Sequence, residues 1–275
     1  MINRILQKIE SSILYARAYS ARSLGIPIRF TFRGRNYYVN ADKSATYHIN
    51  NSIQKLANMT DLIPCDVNTV FDVGGNCGLF SAFVAISCPN ASVYCFEPSP
   101  NLIPIIGKNT ADLKITVCEL AVSDYNGHLN LYINRDAEQT NSINKSMVEP
   151  FTNHEHIETR KVRCITLDSF ALENQISKID VLKVDVQGAE GNVFKGARNL
   201  LPTVEMLFVE STWMDIKSIM EMIPFALEYG FTHLSVINPV YLGADILLSR
   251  YEIKAPVIQF AFQLDEKLLK RNWFR

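Results

Sequence analysis

The chain has 275 residues, 48% of them apolar and 20% charged, with a formal net charge of −1. That is enough apolar material for one large α/β domain with a small appendage, and it excludes an intrinsically disordered chain. The near-zero charge argues against a nucleic-acid partner, and no run of 18 apolar residues reads as a membrane span.

Residues 1–60 read as an N-terminal extension. Ile2, Ile5, Leu6, Ile9, Ile13 and Leu14 recur at helical spacing, which predicts an amphipathic helix up to about Tyr19. Such a helix either packs on the main domain or touches a bilayer peripherally. Arg4, Lys8, Glu10, Arg17 and Arg22 interrupt it, so no signal-peptide core is visible. With Arg29, Arg33, Arg35 and Lys43 added, Met1–Lys43 is a basic lobe: a solvated face, or one for an acidic glycan, a phosphorylated carrier or a membrane surface. A hairpin is expected at Ile28–Phe32 and Tyr37–Asn40 around Arg33-Gly34-Arg35-Asn36, then a helix near Ser52–Met59, with Pro64 breaking the chain.

Residues 61–275 read as the main domain. Apolar runs at Thr69–Val73, Ser92–Glu97, Ile115–Ala121, Val181–Asp185, Met206–Glu210, His233–Asn238 and Asp245–Ser249 alternate with helical segments. The first five are apolar almost throughout, as strands buried on both faces must be. The alternation implies βαβ units and a doubly wound, mostly parallel sheet. Residues 123–167 interrupt it with strand-like Leu129–Asn134, a polar stretch Arg135–Arg160 and strand-like Lys161–Thr166. A polar loop of that length is usually mobile or functional, and it is a candidate substrate lid. His154 and His156 within it form H-x-H and read as a solvated loop, with a metal site as the alternative. Cys65, Cys77, Cys88, Cys95, Cys118 and Cys164 form no C-x-x-C pair, which fits reduced thiols in a cytoplasmic protein and speaks against a zinc site.

The strongest local signal is Val70-Phe71-Asp72-Val73-Gly74-Gly75-Asn76-Cys77-Gly78, a buried strand running into a glycine turn. Glycines there let the backbone turn sharply against a ligand. The spacing is not G-x-G-x-x-G, and the Asp72 carboxylate would repel a pyrophosphate. It suits a ligand with a cationic amino-acid end, such as S-adenosylmethionine, so Asp72, Gly74, Gly75, Asn76 and Gly78 are candidate cofactor residues. Glu97, ending the second strand before Pro98, is a candidate bidentate acceptor for ribose hydroxyls or else a surface acid or N-cap. After the third strand, Val122 is a candidate adenine wall, with Ser123 or Asp124 for the exocyclic amine; the alternative is an ordinary turn.

These motifs occur together in one order: Phe71–Gly78, Phe96-Glu97-Pro98, Ala121-Val122-Ser123-Asp124 with Gly127, Asn141-Ser142, Thr166-Leu167-Asp168, then Lys183-Val184-Asp185-Val186-Gln187-Gly188-Ala189-Glu190 and Lys195-Gly196-Ala197. In this the chain resembles the FkbM family of methyltransferases over about Asp61–Ser249. Gly75 departs from the alanine usual after the first glycine, and the segment before Asp61 matches nothing in the family. The resemblance implies a class I methyltransferase fold, Rossmann-like, with a seven-stranded sheet ending in an antiparallel hairpin at Gly230–Ser249. It also implies a catalytic domain at 61–275 that uses S-adenosylmethionine to methylate hydroxyls of sugars, glycans or secondary metabolites.

Asp185 and Glu210 are the candidate catalytic residues, because a sugar hydroxyl needs a proton acceptor or a metal to become a nucleophile. Asp185 alternatively contacts cofactor or substrate, or is structural. A divalent ion held by Asp185 and Glu210 is conceivable from their chemistry but is not predicted. Trp213 either stacks on a sugar face or packs in the core. A non-catalytic cofactor-binding scaffold is the competing function; an NAD-dependent oxidoreductase is disfavoured by the turn and Asp72.

Overall fold

The computed structural model describes residues 20–21, 23–24, 26–212, 223–240, 243–255 and 258–263. The helix expected over residues 2–19 and the expected role of Trp213 lie outside the described residues.

The chain enters through an antiparallel hairpin, β1 (Ile28–Phe32) against β2 (Arg35–Val39). Its turn is Arg33-Gly34 alone, with φ of 46° and 78°. Two successive positive φ values are the mark of the two-residue turn that matches strand twist, so β2 begins at Arg35 and not at Tyr37. Tyr37 and Phe32 pack on Phe83, at ring separations of 5.3 Å each. Helix α1 (Ile53–Thr60) follows, burying Ile53, Ala57, Met59 and Thr60. The described part of the extension is thus fused to the main domain through a shared apolar cluster that includes Tyr37, Val39, Ala57, Leu79 and Phe83.

All seven expected strands form. They are β3 (Thr69–Val73), β4 (Ser92–Phe96), β5 (Ile115–Cys118), β9 (Val181–Val184), β10 (Met206–Thr212), β11 (His233–Val240) and β12 (Gly243–Ser249). An eighth, β13 (Ile258–Gln263), joins at the edge, giving the order β5-β4-β3-β9-β10-β12-β11-β13. The contacts from β5 to β10 are parallel, and β10, β12, β11 and β13 pair antiparallel. This is the doubly wound class I methyltransferase sheet.

Side-chain alternation along the strands sorts the two faces. Phe71, Phe96, Leu182 and Leu207 point into one cluster, where Phe170 of α5 (Leu167–Glu173) meets Phe96 at 4.7 Å. Val70, Val93, Val181, Met206, Phe208 and Leu247 point to the other, against α2 (Leu79–Ser87) and the end of α1. The Thr166-Leu167-Asp168 motif works locally: Thr166 Oγ1 accepts the Ser169 N–H at 3.1 Å as the N-cap of α5. Leu167 is buried, and Asp168 accepts the N–H groups of Asn199 and Leu200.

Two expectations change in the middle of the chain. The third strand stops at Cys118, and Ala121–Val122 (β6) turns away into a second sheet of order β6-β8-β7, with β7 Gly127–Asn134 and β8 Ile157–Ile165. The stretch 157–160, expected as polar loop, is strand. Its charged side chains pair along the exposed ribbon, as Arg135 does with Glu158 at 3.0 Å. Only 135–156 remains an excursion, and it carries the short helix α4 (Lys145–Val148). Among the described residues no helix is long and apolar enough to cross a membrane.

Candidate active site

The glycine turn lies where β3 delivers the chain to the carboxyl edge of the sheet. Gly74 and Gly75 both donate their N–H groups to the Phe96 carbonyl, at 3.0 and 2.9 Å. Gly74 has φ +82°, and a Cβ there would stand 1.8 Å from the Asp185 carbonyl oxygen. Only glycine lets the turn press against the end of β9. Beside it, Glu97 is only 6% exposed; its two oxygens accept the N–H groups of Asn76 and Ser99, each at 2.8 Å. Burial, helped by the charges of Asp72 and Glu138, pushes Glu97 up to about 7 against those two hydrogen bonds. Each carboxylate oxygen keeps a lone pair, so two further hydroxyl donors fit.

The second component is a row of charge on the sheet face covered by α1 and α2. Asp72 stands directly across from Lys183 in the β3–β9 register. Its carboxylate, 0% exposed, accepts from Lys183 Nζ at 3.2 Å and from Ser81 Oγ at 2.7 Å. Lys183 Nζ also reaches Gly74 O at 3.3 Å and Asp185 Oδ2 at 3.5 Å. Burial disfavours this ammonium, but Asp72, Asp185 and Glu210 outweigh burial and hold it above the usual lysine range. On the neighbouring ladder Glu210 stands directly across from Asp245 in the β10–β12 register. Like charges so placed repel. Lys55, from α1, resolves the conflict by pairing with Glu210 and lying 3.0 Å from Asp245 Oδ1.

Between the two rows, Asp185 and Glu210 hydrogen-bond each other, and the Gln187 amide nitrogen donates to both at 2.9 Å. Burial works against the Asp185 carboxylate. Lys183, the hydrogen bond from Glu210, and Lys55 reverse that and hold it well below the usual range. Burial and the Asp185 charge push Glu210 up to about 8 in spite of Lys55. The pair therefore shares one proton near neutrality, housed on Glu210. Gln187 is held at a positive φ of 52°, and Ser142 of the insertion donates to its carbonyl at 2.8 Å.

The sequence profile of the Methyltransferase FkbM domain matches residues 72–232, more than half of the chain. The chain belongs to the FkbM family of methyltransferases. This FkbM-family chain is similar to the 2-O-methyltransferase NoeI of Sinorhizobium fredii, 26% identical over 155 residues that make up 51% of this chain and 62% of NoeI. It is also similar to the 31-O-demethyl-FK506 methyltransferase FkbM of Streptomyces tacrolimicus, 26% identical over 214 residues, 68% of this chain and 80% of that one. A third relative is the hexuronic acid methyltransferase AglP of Haloferax volcanii, 26% identical over 143 residues, 52% of this chain and 55% of that one. The matched regions cover less than two thirds of NoeI and of AglP.

Within this FkbM-family chain the edge brings together Gly74, Gly75, Asn76, Gly78, Glu97, Asp185 and Glu210. Three expected residues sit differently. Asp72 lies beneath the edge, fully buried with its charge met by Lys183 and Ser81, and is not exposed for direct contact with a ligand's amino group. Val122 is buried among Phe96, Ile165 and Leu182 in the core. Ser123 is buried and donates to Asp124 at 3.2 Å, with its carbonyl where a Cβ on Gly196 would strike at 2.1 Å. His156 binds Asp136 at 2.7 Å and serves the insertion, and no group of three metal-binding side chains occurs among the described residues. Lys55 and Asp245 escaped sequence reasoning. Both lie outside the matched family region; a lone lysine on an amphipathic helix carries no signal, whereas the charge opening the late strand at Asp245 could have been noticed.

Proposed function

We propose that the chain is an S-adenosylmethionine-dependent O-methyltransferase acting on a hydroxyl of a glycan or a similar hydroxylated small molecule. The observation that carries the reading is the meeting, at one sheet edge, of the glycine turn, the doubly N–H-bonded Glu97 and the proton-sharing Asp185–Glu210 pair. S-adenosylmethionine, when bound, supplies an electrophilic methyl group on its sulfonium. Glu97 accepts the ribose hydroxyls, and the crowding at Gly74 keeps side chains out of the cradle. Lys183, with Asp72 behind it, fixes Asp185 at the edge. The net negative charge of that network favours a cationic donor over a pyrophosphate.

The Asp185–Glu210 pair takes the proton from the acceptor hydroxyl. A base works best with its pKa near the working pH, and Glu210 meets that condition once its proton has left, with Asp185 beside it as partner. Lys55 and Asp245 position Glu210. The donor set does not suit a divalent ion: the ammonium groups of Lys183 and Lys55 already stand against these carboxylates. Residues 123–167 border the acceptor side, since Ser142 bonds the Gln187 carbonyl and the Met147 side chain crowds Gly188. The hydroxyl acceptor class is taken over from relatives named as a 2-O-methyltransferase and a 31-O-demethyl-FK506 methyltransferase. Calorimetry with S-adenosylmethionine, followed by mass analysis of a panel of hydroxylated glycans and metabolites, tests the reading. Micromolar donor binding and an acceptor heavier by one methylene support it; absence of donor binding sinks it.

A further inference from the structure

Glu138 belongs to the insertion, yet its carboxyl group lies against the loop that Glu97 opens. It is 8% exposed. Its backbone N–H donates to Asp42 Oδ2 at 2.9 Å, which anchors the turn Glu138–Thr140 to the N-terminal extension. Asn101, four residues beyond Glu97, donates to its Oε1 at 3.2 Å. The other oxygen, Oε2, is buried and has no hydrogen-bond partner among the described residues, and the buried Ser99 hydroxyl of the same loop has none either. Ser99 is the residue whose N–H holds Glu97.

A buried carboxylate oxygen without a donor is costly, so such an atom calls for an explanation. Four other acids of this molecule are met by lysines: Asp72 by Lys183, Glu210 and Asp245 by Lys55, Asp136 by Lys43. Among the described residues no ion pair joins Glu97 or Glu138 to a cation. Two acceptor-only groups that flank one loop without a counter-charge match a ligand presenting neutral hydroxyl donors side by side. A vicinal diol has that pattern; an adenine ring, with one amine among several acceptor nitrogens, does not. The electrostatics agree. Burial raises Glu138 against hydrogen bonds from Asn101 and Asn40, with Asp42 and Glu158 adding to the rise, and Glu138 in turn adds to the upward push on Glu97.

We propose that Glu138 is a second acceptor for the ribose diol of the methyl donor, so that the insertion grips the donor together with the sheet edge. The inference rests on the donor reading above. It makes the excursion 135–156 a donor clamp as well as an acceptor wall, and it links donor occupancy to the N-terminal extension through Asp42.

Calorimetry with S-adenosylhomocysteine, 5′-methylthioadenosine and the 2′,3′-dideoxy analogue of the latter tests it, on the full chain, for wild type, Glu138→Gln and Glu138→Asp. The expected result is that Glu138→Gln binds methylthioadenosine about tenfold more weakly than wild type and loses most of the preference for diol over dideoxy ligand. Glu138→Asp, which keeps the charge but shortens the reach, is expected to lose part of that preference and supplies the same comparison if the glutamine variant does not fold. A variant that binds more weakly but keeps the full wild-type preference for the diol overturns the inference, because Glu138 would then act only through the fold. A wild-type protein that binds none of the three overturns the donor reading and this inference with it.

Discussion

The ribose-binding role proposed for Glu97 brings a pH response with it. Its ionised form offers lone pairs to two hydroxyls; its neutral form gives up one of them. Because burial raises it to about 7, donor affinity is expected to fall as pH drops through that value. Calorimetric titration of S-adenosylhomocysteine from pH 6 to 9 checks this, and Glu97→Gln is expected to weaken binding at least about tenfold at pH 8 and to flatten the profile. Asp185 is expected to behave otherwise: Asp185→Asn should cut turnover far more than donor affinity, and full turnover in that variant would remove it from the chemistry. Lys55 is a positioning residue. Lys55→Met removes the ammonium that pairs with the buried Asp245 carboxylate and drives Glu210 further toward its neutral form, and is expected to cost about 3 kcal/mol of stability. Adding Asp245→Asn should recover part of that loss, a coupling readable by denaturant unfolding of the single and double variants. For turnover, the Asp185–Glu210 pair predicts a rate that rises as pH passes about 8. The limb should move to higher pH in Lys55→Met and vanish in Glu210→Gln.

At the scale of elements, the site is made by strand ends rather than by loops alone. Registers β3–β9 and β10–β12 put Asp72 across from Lys183 and Glu210 across from Asp245, and strand alternation turns all four toward α1 and α2. The turn after β3 is equally constrained. Gly74→Ala would force a methyl group onto the Asp185 carbonyl at a backbone angle that alanine resists. A loss above about 3 kcal/mol, or no soluble protein, is expected from thermal unfolding. Cap removal at α5 is a milder perturbation: Thr166→Ala frees the Ser169 N–H and should cost about 1 kcal/mol, with donor affinity unchanged.

At the scale of the molecule, the site is assembled from three stretches of chain: α1, the family region and the late antiparallel strands. Its buried acids also shape overall stability. Glu97 and Glu210 have folded values near 7 and 8, above the ordinary 4.5, so the folded chain binds more protons than the unfolded one between about pH 4.5 and 8. Their contribution is complete below 4.5 and is lost as pH rises through 7 to 8. Asp185, held below its ordinary value, contributes in the opposite sense and is lost in strong acid. Ligand-free stability is therefore expected to decline from pH 6 to pH 9, measurable as a falling midpoint in urea.

Sequence alone determined the sheet and its edge. Doubly buried strands must be apolar throughout, and a sharp turn against a neighbouring strand needs glycine, so both leave marks that survive without a structure. The roles proposed for Glu97, Asp185 and Glu210 follow from standing at the ends of such strands. Tertiary structure alone decided what surrounds them. That Asp72 is spent on Lys183, that Lys55 crosses from α1 to separate two carboxylates, and that Glu138 folds in beside Glu97 all depend on register and packing between segments far apart in the chain. Charge pairing of that kind has no period and no local motif; it exists only once the sheet has brought its partners within a few ångströms.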